Sequence, residues 1–175
     1  MKYHWPLLVL AAWATPTLAQ STSDSGFAGV QSRGAKVMGV DQYTSHHVFE
    51  DLPDGGRIVL LRNDLADSVG AAAIQSHLRE VAGNFARGDF SAPFLVHARQ
   101  VPGTEAMARL REAIHYRVSD RQGGGEIRIT TSDSTAVTAI HQFLAFQRMD
   151  HHAMGHRATA QPAMRHPLAS RALSA

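Results

Sequence analysis

The sequence predicts an α+β domain in which two hairpin–helix units form a four-stranded antiparallel sheet with helices on one face. Two pairs of short apolar segments are each joined by a glycine-containing turn. Each pair is followed by a segment whose apolar residues recur at helical spacing. The two units also match each other at a period of roughly seventy residues, which indicates a weak internal repeat.

The first unit opens with a hairpin signal. The segments 46–52 and 57–61 flank Pro53-Asp54-Gly55-Gly56, in which proline presets a turn and the glycines accept positive φ angles. Either Asp64 or Asp67 can cap the helix that follows. The apolar residues that predict this helix, at spacings of three and four, are Ile74, Leu78, Val81 and Phe85.

The second unit repeats this order. Alternating segments at 114–118 and 126–130 flank Gly123-Gly124-Gly125, and Ser132 or Asp133 can cap a final helix. The apolar residues of that helix include Val137, Ile140, Phe143 and Leu144.

Between the two units, residues 91–101 are expected to form an irregular link that carries Pro93 and His97. A shorter helix is expected after Pro102-Gly103-Thr104. Its inner side would be formed by Met107, Leu110 and Ile114.

The ends of the chain differ in character from its middle. Residues 1–19 have a positive start, a short apolar run and small residues before Ala19, which is typical of a secretory signal cleaved near Ala19. We therefore expect a periplasmic or secreted protein. Residues 20–37 predict a flexible leader, residues 38–152 a single α+β domain, and residues 153–175 a disordered tail.

Composition excludes several classes of protein. The chain has no cysteine, which removes thiol catalysis, disulfides, thiolate zinc sites and covalent c-type haem. Its 17 Lys+Arg and 15 Asp+Glu nearly balance, and the positive residues are scattered, so a nucleic-acid partner is not expected. The apolar run near the N-terminus is too short for a permanent span, and we expect no integral membrane protein.

No motif in the sequence identifies a catalytic residue. A Gly-x-Ser-x-Gly elbow, a His-Glu-x-x-His helix and a phosphate-binding loop are all missing from the sequence. An enzymatic role is therefore not predicted, although a metal-bound water held by three histidines would be sufficient for hydrolysis.

Histidine is the unusual residue of this chain, with 11 copies. In the absence of cysteine, imidazole and methionine thioether are the available soft or borderline metal ligands, a combination that suits copper in an oxidising compartment. Helical spacing can bring residues of the two long helices, the link and the short helix together over the sheet. The predicted metal ligands are His77, His97, Met107, His141 and His151. The alternative for each histidine is a partly buried ring that bonds to backbone or to a carboxylate.

Other interpretations of the histidines remain open. The segment 149–156 places three histidines and two methionines near a helix end, where they could collect a transition-metal ion loosely. Two facing histidines, or a histidine and a methionine, could instead hold a non-covalent haem. A structural envelope adaptor without a ligand is the third possibility. The leading hypothesis is a metal-binding carrier, buffer or sensor.

The chain also resembles a known group of proteins. The resemblance rests on segments that cover most of the predicted domain, among them Met38-Gly39-Val40-Asp41, Ile74-Gln75-Ser76-His77-Leu78, Val101-Pro102-Gly103-Thr104 and Ile140-His141-Gln142-Phe143-Leu144. These segments resemble a family of small exported bacterial proteins that often carry the label aspartate carbamoyltransferase. The label is not supported as an activity, because the Ser-Thr-Arg-Thr loop and the His-Pro-x-Gln segment of true transcarbamoylases are missing here. The family pattern includes histidines that match His47, His77, His97, His141 and His151 and a methionine that matches Met107.

Overall fold

The computed structural model describes residues 28–36 and 43–153 and confirms the predicted α+β class. A single sheet contains four strands in the order β1-β2-β4-β3, and all neighbouring strands are antiparallel. The strands are β1 (Ser45–Leu52), β2 (Gly55–Arg62), β3 (His115–Arg121) and β4 (Gly124–Thr130). Each glycine-containing turn therefore joins the two strands of a hairpin, as predicted.

The helices follow the predicted capping signals. Asp67 accepts a hydrogen bond from the backbone of Gly70, and Asp133 accepts from Thr135 and Ala136, so these two aspartates cap the long helices. The helical segments are α1 (28–36), α2 (Ser68–Ala86), α3 (Ser91–His97), α4 (Thr104–Arg109), a 3-10 turn (Arg111–Ala113) and α5 (Ser134–Asp150). Within the described ranges, no helix has the length and apolar character needed to cross a membrane.

The long helix of each unit covers the hairpin of the other unit. Helix α2 packs mainly on β3 and β4, whereas α5 packs on β1 and β2. Leu78 of α2 lies over Gly125, and Leu144 of α5 lies over Gly56, where a Cβ atom would collide with its side chain. The two contacts are equivalent in the two units, so the predicted repeat is seen in the packing as a pseudo-twofold arrangement.

The core lies between one face of the sheet and the helices. Its sheet side includes Phe49, Ile58 and Ile127, and its helix side includes Ile74 and Ile140, all buried. Strand alternation directs the next residues to the opposite face. On that face Arg57 pairs with Glu50, and Arg121 pairs with Glu126. Among the described residues, helices therefore cover one face of the sheet, as predicted.

The structure differs from the sequence-based expectation in two segments. Residues 28–36, expected to belong to a flexible leader, form α1, where Val30 is buried and Arg33 donates from Nε to the carbonyl of Val96 at 2.7 Å. The first half of the expected irregular link forms α3, because Pro93 falls in the first turn of that helix, where proline is tolerated. The predicted signal segment 1–19, and the predicted tail beyond Ala153, lie outside the described residues.

Candidate functional site

A small cavity of about 80 Å³ lies between the sheet and helices α2, α3 and α5. Four histidines from four different elements line it, and most of the remaining lining is aliphatic or aromatic. The histidines are His47 on β1, His77 on α2, His97 on α3 and His151 at the end of α5. We call this cavity the histidine pocket.

His151 is the centre of the histidine cluster. Its ring centroid lies 5.2 Å from that of His47 and 5.0 Å from that of His97. Aromatic neighbours support the outer rings, because His47 stacks on Phe49 and His97 meets the ring of Phe146 edge-on. The Nδ1 atom of His151 is buried and has no hydrogen-bond partner within the described part of the chain. A buried, unpaired nitrogen is costly, so it marks a position where a ligand would be stabilising.

His97 is the most firmly oriented of the four rings. It is 5% exposed, and its Nδ1 donates to a carboxylate oxygen of Asp150 at 2.5 Å. Asp150 is held in turn by Arg99 at 2.6 Å. The Nε2 atom of His97 lies 3.1 Å from the side-chain amide oxygen of Gln147 at the edge of the pocket. A carboxylate on one ring nitrogen is a usual partner of a metal-binding imidazole. Both ring nitrogens of His97 have an oxygen partner, so Nε2 could bind an ion only after the Gln147 amide turned away.

Burial keeps the rings of His47, His77 and His151 uncharged at neutral pH. Burial lowers the pKa of His47 from 6.5 to about 3, and the neighbouring histidines add to the effect. Burial also lowers the pKa of His151 to about 4; charge on His97 lowers it further, while Asp150 opposes the shift. The pKa of His77 is lowered as well, mainly by burial and against the influence of Glu80. Neutral imidazole is the form that binds metals.

The second unit shows that this position in the fold does not need histidine. By the pseudo-twofold arrangement, Tyr116 on β3 takes the place of His47, and Phe85 on α2 takes the place of His151. The rings of Tyr116 and Phe85 meet with their centroids 6.0 Å apart. Aromatic side chains therefore fill the equivalent cleft, so packing at this position does not require histidine.

The structure brings together three of the five predicted ligands. His77, His97 and His151 line the pocket. His141 does not, because its Nε2 donates to the carbonyl oxygens of Leu52 and Gly55, each at 2.9 Å, and so ties the first hairpin to α5. Met107 is fully buried in the core and is not part of the pocket lining.

Spacing did not select His47 as a ligand, although the family resemblance includes it. It lies two residues before Phe49, so strand alternation places both side chains on the covered face of the sheet. Strand alternation could therefore have predicted this position from the sequence. A histidine on the same strand face as a core phenylalanine points toward the helices.

The four rings are not arranged around an ion. Within residues 28–36 and 43–153, no group of three or more His, Asp or Glu side chains is positioned to hold a metal. Coordination would require the imidazoles to turn about their side-chain bonds.

Comparisons with protein-family models, with curated proteins and with solved structures found no match to this chain.

Proposed function

We propose that this protein binds a single transition-metal ion, copper first, in the histidine pocket and acts as an exported carrier, buffer or sensor. The observation that carries the proposal is the position of His151, whose ring centroid lies 5.2 Å from that of His47 and 5.0 Å from that of His97, on a cavity that contains an unpaired imidazole nitrogen. His77 is available as a further donor at the same cavity.

The donor set supports copper. It consists of imidazole nitrogens, which suit copper and zinc, and divalent copper normally exceeds zinc in affinity for a given nitrogen site. The Asp150–His97 hydrogen bond supports the proposal further, because such a partner fixes the ring orientation and raises the basicity of the nitrogen that faces the ion.

The size of the pocket favours an ion over the haem alternative. A cavity of about 80 Å³ is far below the roughly 300–1,000 Å³ typical of pockets for larger organic ligands. A haem would need the helices to move away from the sheet, whereas an ion requires only rotation of the imidazole rings.

The second unit suggests the variant that tests the proposal. In His47→Phe/His151→Phe, aromatic side chains fill the cleft as Phe85 and Tyr116 do in the other unit. Phenylalanine is used at both positions because the Tyr116 hydroxyl is itself buried without a partner within the described residues. The variant should fold and lose the metal site. The matched control is His46→Gln, because His46 is adjacent in sequence but points to the opposite face of β1.

The measurement is copper content after purification without an affinity tag, together with the melting temperature with and without added copper. A ligand at about one hundred times its dissociation constant stabilises a protein by roughly 2.7 kcal/mol, which corresponds to a shift of several degrees. We expect this shift in the wild type and in His46→Gln and its loss in the double variant. Equal copper content and equal shifts in all three proteins would contradict the proposal and favour a structural adaptor. A Soret band on reconstitution with haemin would favour the haem alternative.

A further inference from the structure

Resting on the proposed function, we propose that the histidine pocket is selective for a monovalent soft cation, Cu(I), over the divalent ions Cu(II) and Zn(II). The charge of the pocket lining and the number of ligands that it offers both favour the monovalent ion.

The lining contains no charged group that could compensate a divalent ion. Its polar members are four histidines and Gln147, and the rest are apolar side chains such as Phe49, Val96 and Phe143. Two carboxylates act on the rings from outside the lining. Asp150 lies behind His97, where Arg99 balances its charge at 2.6 Å, and Glu80 acts on His77. A bound ion would therefore keep its full charge in an apolar environment.

The cost of burying that charge depends steeply on valence. Charge transfer from water into a medium of low dielectric constant is strongly unfavourable, and the Born energy grows with the square of the charge, so a divalent ion costs about four times as much as a monovalent ion of equal size. Neutral imidazoles repay part of this cost for either ion. Without an anionic ligand, the remaining penalty falls mainly on the divalent ion.

The number of clustered donors also favours Cu(I). Cu(II) prefers a tetragonal set of nitrogen and oxygen ligands, and zinc prefers four ligands in a tetrahedron. The three clustered rings come from β1, α3 and the end of α5, and they offer three closely spaced nitrogen donors, fewer than the four ligands that either divalent ion prefers. Cu(I) is satisfied by two or three nitrogen donors and needs no water.

The test is a set of metal titrations of the purified full chain, of His47→Phe/His151→Phe and of His46→Gln. Cu(I) is kept reduced with ascorbate under argon and competed against bicinchoninate. Ag(I) serves as a monovalent probe that does not change oxidation state. Cu(II) and Zn(II) are measured against competing chelators. Because every protein in the comparison retains the histidines outside the described residues, such as His156 and His166, any binding by those residues cancels.

For each metal, the affinity of the pocket is the binding that the wild type shows and the double variant lacks. We expect this affinity to be at least about 100-fold greater for Cu(I) than for Cu(II) or Zn(II). Ag(I) should follow Cu(I). Cu(II) or Zn(II) binding that is as tight as Cu(I), and that the double variant also loses, would overturn the selectivity and leave the metal site standing. Titrations in which no metal distinguishes the wild type from the double variant would overturn the proposed function and the selectivity together.

Discussion

Mild acid should destabilise the metal-free protein through the two buried rings of the histidine pocket. In the folded chain burial lowers the pKa of His47 to about 3 and that of His151 to about 4, whereas both rings titrate near 6.5 when the chain is unfolded. Between these values the unfolded state binds more protons than the folded state. Stability is therefore fully present above about pH 6.5 and falls as the pH decreases toward the folded pKa values.

The size of the effect follows from the pKa difference. Each pH unit inside the window corresponds to roughly 1.4 kcal/mol for each ring, so a decrease from about pH 7 to about pH 4.5 should remove about 2.5 kcal/mol for each of His47 and His151. The pKa values of Asp54 and Asp150 are lowered in the folded chain, so the stability that they contribute is lost mainly as the pH falls through their ordinary value of 3.8, below this window.

The assay is urea denaturation at several pH values in the presence of a chelator, with the free energy of unfolding extrapolated to water. The wild type should lose several kcal/mol more than His47→Phe/His151→Phe over this range. His115→Gln, at an exposed position on β3, controls for the loss of one imidazole and should follow the wild type. Parallel loss of stability in the wild type and the double variant would refute the assignment of the acid sensitivity to these rings.

Three further substitutions test the packing around the site, each by urea denaturation. Arg148→Met should cost about 3–5 kcal/mol, because it leaves the buried Asp51 carboxylate without its bidentate partner, and a second change of Asp51→Leu should recover most of this loss. His141→Ala should cost about 1–3 kcal/mol by removing the donor to two turn carbonyls, and copper uptake should stay at the wild-type level; lost uptake would place His141 in the metal site. Gly103→Ala should cost more than about 2 kcal/mol, since its φ of 84° is left-handed and a Cβ atom would collide with the Ala139 carbonyl; wild-type stability would contradict this geometry.

Most of the architecture could be predicted from local signals. Pro53-Asp54-Gly55-Gly56 and Gly123-Gly124-Gly125 mark the hairpins, and Asp67 and Asp133 cap the long helices as expected. These residues determine structure through their own backbone preferences, which do not depend on distant partners. Helix α1 is different, because its composition favours flexibility and its order comes from long-range contacts such as Arg33 to Val96.

The site was harder to predict because helical spacing fixes direction but not distance. The periodicity of α5 placed His141 and His151 on neighbouring stripes, yet the first ring reaches turn carbonyls and the second reaches the pocket. Which of the two occurs depends on where the hairpin turn ends relative to α5, and that is a property of the assembled fold. Local sequence patterns also could not predict that each long helix packs on the hairpin of the other unit. This packing decides which strand lies next to the end of each helix.

The crossed arrangement of the helices also bears on how such a cleft can become specialised. In an assembly of two identical half-chains, every substitution would appear twice, and a costly change would burden both clefts at once. A single polypeptide with two similar halves is free of that coupling. One cleft can keep the aromatic pair Phe85 and Tyr116, which stabilises the fold. The equivalent cleft can then carry the less stabilising pair His47 and His151.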